Sequence, residues 1–167
     1  MFGLFSNKKE LLNWQNLIIR TNTNKLVMTK KQLQLETVRQ AERLLEIISD
    51  SQNIVNITTN VETYFSRYDL LYEKVEKLCE FEKYIRLTDP TPSEGLLILE
   101  SQEYESINCL INRVWQKTIS EAEKLKTTKG KLNKYKKFYE IFSKYSYRMS
   151  DANINLYKSL CENFINE

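Results

Sequence analysis

The chain has 167 residues, 41% hydrophobic and 28% charged, with three glycines, two prolines and no histidine. That balance supports a buried core, and it excludes a wholly disordered chain, a collagen-like repeat and a Pro- or Gly/Ser-rich linker. The missing histidine removes the usual general base and the commonest metal ligand, and no Gly-rich phosphate loop or P-loop signature is present. Net charge is only +3, too little to argue for nucleic acid by itself.

The charge is nevertheless segmented. Residues 1–43 carry 8 basic and 3 acidic side chains, and residues 44–123 carry 7 and 15. Residues 124–148 carry 9 basic side chains and one acidic, and the last stretch carries one and three. Opposite segments of this kind complement one another within a fold or steer a partner.

The length fits one domain. An apolar and basic segment, residues 1–25, precedes a helical body, residues 26–167. Within the first segment, Lys8 to Arg20 reads as a short helix carrying Leu11, Leu12, Trp14, Leu17, Ile18 and Ile19. Thr21-Asn22-Thr23-Asn24 ends it, because these side chains compete for backbone hydrogen bonds outside helices. A second helix is expected from about Leu26 to Ile57, with Val38, Ala41, Leu45, Ile48 and Val55 on its buried face. A third runs from about Asn60 to Leu87. Thr59 and Glu62 form a capping box at its start, and Tyr64, Tyr68, Leu71, Val75, Leu78 and Ile85 line its stripe.

Thr88-Asp89-Pro90-Thr91-Pro92 is the clearest boundary. Pro90 stops one helix, and Thr91-Pro92-Ser93-Glu94 starts the next. That fourth helix extends to about Lys126 through Tyr104, Ile107, Ile111, Val114, Thr118, Ala122 and Leu125. After a turn at Thr127-Thr128-Lys129-Gly130, a fifth helical region carries Leu132, Tyr135, Phe138, Phe142 and Tyr145. Ser150 then caps a last helix with Ile154, Tyr157, Cys161 and Phe164. No alternating β-branched run, fixed-length repeat or sustained heptad competes with this pattern. The expected fold is all-α: an elongated antiparallel bundle of about five helices plus a short N-terminal helix.

Cys79, Cys109 and Cys161 are scattered, with no CxxC for zinc or for a thioredoxin-like site. Cys79 and Cys161 fall at core-facing positions, as buried thiols in a reducing compartment do. Met1 to Phe5 is too short for a signal peptide, and no run approaches the ~18 apolar residues of a membrane span. The expected location is the cytoplasm, or the host cytoplasm for a phage-encoded chain, with no membrane partner.

Two constellations carry potential chemistry. Glu73 and Glu76, then Glu100 and Glu103, resemble the paired carboxylates with which all-α nucleotide pyrophosphohydrolases hold Mg²⁺, although the second pair of that family usually ends in Asp. On a helical wheel, Asp69, Glu73, Glu76 and Glu80 lie opposite Leu71, Val75 and Leu78, whereas Glu100 projects toward the apolar face of its helix with Glu103 beside it. The pairs therefore do not converge in a simple hairpin. The second constellation is basic. Lys129, Lys136, Lys137 and Lys144 share a face opposite Phe138 and Phe142, with Tyr147 on it, and Lys124, Lys126, Lys131 and Lys134 add to the field. Such a face suits phosphates or a stacked base. With Arg148 the sole arginine here, base-edge readout is disfavoured. Phe2, Leu4, Phe5 and Trp14 form an apolar surplus suited to docking on the bundle or to pairing with another copy. Tyr72, Phe81 and Tyr147 fall off the best stripes.

The stretches Ser49-Asp50-Ser51-Gln52-Asn53-Ile54-Val55-Asn56, Tyr64-Phe65-Ser66-Arg67-Tyr68-Asp69-Leu70-Leu71 and Lys124-Leu125-Lys126-Thr127-Thr128-Lys129-Gly130-Lys131 resemble small helical proteins of low-GC Gram-positive bacteria and their phages or other mobile elements. The resemblance covers roughly residues 44–145 and brings no functional residues with it. The expected function is a non-enzymatic cytoplasmic interaction module that binds a protein partner or itself. Phe2, Leu4, Phe5 and Trp14 are the first candidate contacts and Lys129, Lys136, Lys137, Lys144 and Tyr147 a candidate anion face. Nucleic-acid or polyanion binding through residues 124–148 is the alternative, and a Mg²⁺-dependent all-α nucleotide pyrophosphohydrolase the third. No catalytic, cofactor or metal residue and no small-molecule substrate is assigned.

Overall fold

Apolar residues at three- and four-residue steps, with few glycines or prolines to interrupt them, dictate helix along this chain. The computed structural model describes residues 30–81 and 92–165. Five helices run in order: α1 Lys30–Ile57, α2 Val61–Phe81, α3 Pro92–Glu123, α4 Thr128–Lys144 and α5 Asp151–Ile165, with a 3₁₀ turn at Ser146–Arg148. No strand occurs among the described residues. The expected helix at 8–20, the turn at 88–91 and Ile85 lie outside them. None of the described helices is long and apolar enough to cross a membrane.

The helix starts follow local chemistry. Pro92 opens α3, where its missing N–H costs nothing. Thr127 caps α4, its hydroxyl accepting from the Gly130 N–H at 3.2 Å, so Gly130 sits inside the helix rather than in the turn. At α2 the cap is Asn60, not Thr59. Asn60 Oδ1 accepts from the Thr63 N–H at 2.9 Å, and the Asn60 N–H donates to Thr58 Oγ1 at 3.1 Å. The expected Thr59–Glu62 capping box does not form, because Asn60, one residue on, already satisfies the first turn.

The helices fall into two compact units, one running to Ser51 and including Asp69–Ile98, the other comprising Gln52–Tyr68 and Leu99–Glu167. In the first, Leu71, Val75, Leu78 and Phe81 of α2 are buried, as are Ala41, Leu44 and Ile48 of α1. Phe81, expected off the stripe, is fully buried. The buried face of α1 steps through Thr37, Ala41, Leu44, Ile48, Ser51 and Val55, while Leu45 is 50% exposed and Val38 is also exposed. The expected stripe was therefore one seam off. Ala41, Ile48 and Val55 belong to both readings, but the helix buries Leu44 and leaves its neighbour Leu45 in solvent. The chosen seam carries polar groups. Gln40 donates to Glu36 at 2.8 Å, whereas Gln40 Oε1 and Ser51 Oγ are buried without an acceptor or donor.

In the second unit α3 is the shared partner. Tyr64 donates to Ser106 Oγ at 2.7 Å and Tyr68 to the Leu99 carbonyl at 3.1 Å. Arg113 reaches back to the end of α1, donating to the Val55 carbonyl at 2.8 Å and to the Thr58 carbonyl at 3.2 Å, so a cation closes a helix C-terminus. Trp115 packs edge-on against Phe138 of α4, 5.0 Å between centroids, and Tyr135 stacks on Phe164 of α5 at 4.0 Å. Phe142 and Tyr157 stack at 5.8 Å. Tyr104, expected in the core, is exposed.

Asn153 joins α5 to α3 with every polar atom used. Its Oδ1 accepts from the Ser150 hydroxyl at 2.7 Å and the Ser150 N–H at 3.3 Å. Its Nδ2 donates to Asn108 Oδ1 at 2.8 Å and to the Tyr104 carbonyl at 3.2 Å. Ser150 caps α5 as expected, accepting from the Asn153 N–H at 3.3 Å.

Two buried polar side chains therefore have opposite consequences. Asn153 is 1% exposed, and Asn153→Ala removes its bonds to the Tyr104 carbonyl and Asn108 Oδ1 and leaves the exposed Ser150 to water, at an expected loss of about 2 kcal/mol. Ser51→Ala removes a hydroxyl that satisfies nothing, and is expected to raise stability by about 0.5–1 kcal/mol. Urea midpoints, at unchanged slope, read both.

Candidate functional site

The described surface carries a lysine-rich concavity. It lies in the second unit, between the start of α2, the last third of α3 and the second half of α4. Its volume is about 430 Å³, and Val61, Val114 and Ile141 form its apolar floor. Lys117, Lys137 and Lys144 rim it, against the single acid Glu62. A contiguous hollow of about 190 Å³ continues past Glu121, Lys134 and Phe138.

Each rim residue is set by its helix. Lys137 and Lys144 are seven residues apart on α4, two turns along one side, and Phe138 and Phe142 anchor the opposite side in the core. Lys117 follows Val114 by three residues on α3. Its ammonium donates to Thr59 Oγ1 at 3.2 Å, which ties the rim to the loop before α2. Lys134 pairs with Glu121 at 2.6 Å, and this ammonium holds the Glu121 carboxyl below the usual carboxylate range. That pair is internally balanced, although Glu121 also feels Lys117, so the net positive field of the groove comes mainly from Lys137 and Lys144, with Lys117 beside them.

The expected anion face is thus divided. Lys137 and Lys144 come together in the groove, with Lys117 as a third member that the sequence did not mark. Lys129 and Lys136 are exposed and do not line it. Tyr147 does not continue the face either. α4 ends at Lys144, and Tyr147 sits in the 3₁₀ turn, 81% exposed. Lys117 was invisible because it lies 20 residues from Lys137, and only helix packing brings them together. Phe2, Leu4, Phe5 and Trp14 lie outside the described residues.

The carboxylate pairs take a different form from the one expected. Glu73, Glu76 and Glu100 are exposed. Glu103, rather than Glu100, turns toward the apolar side of α3, where its charge helps raise the Tyr64 and Tyr68 phenols. Among the described residues no three His, Cys, Asp or Glu side chains gather as a metal-binding group.

Buried nucleophiles are held neutral. Burial pushes the Cys161 thiol up to about 11 and the Tyr68 phenol up to about 12, with Tyr64 raised further. Cys109 is exposed and Cys79 half-buried rather than core-facing, and none of the three thiols is bridged. Comparison with protein-family models, curated proteins and solved structures finds no match.

The raised groups fix an alkaline limit. A thiol at about 11 in the fold against its ordinary 9.0 contributes stability that is complete below about pH 9 and lost as pH rises through about 11. Tyr68 extends the loss from its ordinary 10.0 toward about 12. Urea denaturation between pH 8 and 11 is expected to show falling stability, with a shallower fall in Cys161→Val. In the native protein a thiol reagent is expected to modify Cys109 rapidly and Cys161 only on unfolding.

Proposed function

We propose that this chain is a non-enzymatic protein-interaction module and that the lysine-rimmed groove recognises an acidic protein surface. The observation that carries the reading is the combination of an apolar floor with three lysines facing one glutamate. A protein helix offers both complements, since aliphatic side chains can cover Ile141 and the lysine stems above the buried Val61 and Val114 while carboxylates meet the rim. A nucleic acid offers phosphates but would need stacking partners over that floor. The nearest aromatic ring, Tyr145, is already stacked on Phe65 at 5.0 Å. Lysines of this kind steer encounter and select partners more than they add affinity.

The reading takes the helices as a bundle, with the short N-terminal helix as an addition. Phe2, Leu4, Phe5 and Trp14 remain a second proposed contact, on sequence grounds. The cytoplasmic location and the likeness to mobile-element proteins are part of the same proposal.

Fluorescence anisotropy tests it, with a labelled glutamate-rich amphipathic peptide and a single-stranded oligonucleotide of equal net charge. The peptide is expected to bind more tightly. Lys137→Gln together with Lys144→Gln is expected to weaken it at least tenfold, whereas Lys129→Gln with Lys136→Gln leaves it nearly unchanged. Tighter oligonucleotide binding with a steep salt dependence rejects this reading in favour of polyanion binding.

A further inference from the structure

We infer that the acidic surface taken by the groove is α2 of a second copy of this chain, held head to tail, with Glu73, Glu76 and Glu80 of one molecule against Lys137, Lys144 and Lys117 of the next. The inference rests on the reading of the groove as a site for an acidic protein surface, and it names that surface.

Charge complementarity is the first argument. Glu73, Glu76 and Glu80 are exposed and spaced by three and four residues, so they project from one side of α2. Lys74 and Lys77 are half-buried and turn to its flanks, Lys74 pairing with Glu73. The line remains net acidic, in the segment of the chain with the largest acidic excess. The groove is net basic, in the segment with the largest basic excess.

Spacing is the second argument. Lys137 and Lys144 are seven residues apart on a regular helix, which sets them about 10.5 Å apart along its axis. Glu73 and Glu80 have the same separation on another regular helix. A helix laid along α4 therefore presents two carboxylates to two ammonium groups without bending either. Glu76 falls between them, opposite Lys117 on the far wall.

The donor and acceptor patches are different surfaces, so the contact is heterologous. Each molecule can use both, and assembly continues until a ring closes or the concentration limits it. Exposed ion pairs are screened by salt, and the assembly must therefore weaken as ionic strength rises.

Sedimentation velocity of the full chain tests this. At low salt the mass is expected to rise above the 19.9 kDa monomer with concentration, and to return to monomer near 0.5 M salt, where the screening length falls to roughly 4–5 Å. Lys137→Gln/Lys144→Gln and Glu73→Gln/Glu76→Gln/Glu80→Gln, all at exposed positions and checked for unchanged helical circular dichroism, are each expected to stay monomeric. Mixed, they have one intact groove and one intact acidic line between them, and should form a dimer that does not grow. Oligomers that persist in either variant overturn the inference. So does a chain that is monomeric at all concentrations, and there the glutamate-rich peptide separates the two failures. Peptide binding lost in Lys137→Gln/Lys144→Gln leaves the groove as a site for a different acidic protein. No peptide binding removes the groove reading as well.

Discussion

Within the second unit, α3 from Leu99 onward is the member to which the other helices are tied, and the ties are directional. Tyr64 and Tyr68 fix α2 to it through two phenolic hydrogen bonds, and Arg113 fixes the end of α1 through two carbonyls. Asn153 fixes α5 through an amide and a carbonyl, and Trp115 meets α4 ring to ring. Apolar burial alone is non-directional and tolerates sliding between helices. Buried hydrogen bonds do not, because a shift of one residue leaves each of these groups without its partner. The groove is a consequence. Lys117 faces Lys137 and Lys144 because the registers of α3 and α4 are set by contacts elsewhere on the same helices.

What was legible in the sequence was what a single helix determines. Helix type, most boundaries, the Ser150 cap, Pro92 at a helix start and the stripes of α2 and α4 all follow from residues within four positions of one another. The failures occur where local patterns are degenerate. On α1, Leu44 and Leu45 are adjacent, and Ala41, Ile48 and Val55 accept either as a companion. Hydrophobicity favours the seam with Val38 and Leu45, yet the fold takes the seam with Thr37, Leu44 and Ser51. Partner helices decide between them, and no single-helix pattern contains that information. At the start of α2, Thr58, Thr59 and Asn60 are all competent caps, and only the path of the chain selects Asn60. Phe81 and Tyr104 depart from their stripes for the related reason that the buried face of a long helix drifts when its neighbours change along its length.

The site was legible in the same limited way. The basic segment and its lysine face follow from composition and from a wheel drawn on α4. The face was drawn too wide. A wheel treats Lys129, Lys136, Lys137 and Lys144 as one surface, but about 60–100° separates the first two from the last two, and a neighbouring helix turns that angle into a boundary between groove and open solvent. Tyr147 leaves the face because the helix ends at Lys144 and the chain passes into a 3₁₀ turn. Lys117 and Thr59 could not be found at all, since each joins the site only through tertiary packing.

The character of the rim also limits what the groove can achieve. Lysine ammonium groups are strongly hydrated point charges on flexible stems, without the planar fork that lets arginine grip a carboxylate or phosphate at two points. Three of them at a surface hold an approaching acid in the vicinity and orient it, each contributing no more than about 1 kcal/mol at ordinary salt. Affinity beyond that must come from the half-buried Ile141 and the aliphatic stems of the lysines losing water, since Val61 and Val114 are already buried, and these groups can be covered only by a ligand with apolar side chains between its acids. Charge alone would admit any polyanion, and the floor alone any greasy surface. A ligand satisfying both needs acidic and apolar groups interleaved along one face, a pattern that amphipathic helices possess by construction and the sugar-phosphate backbone of nucleic acid lacks.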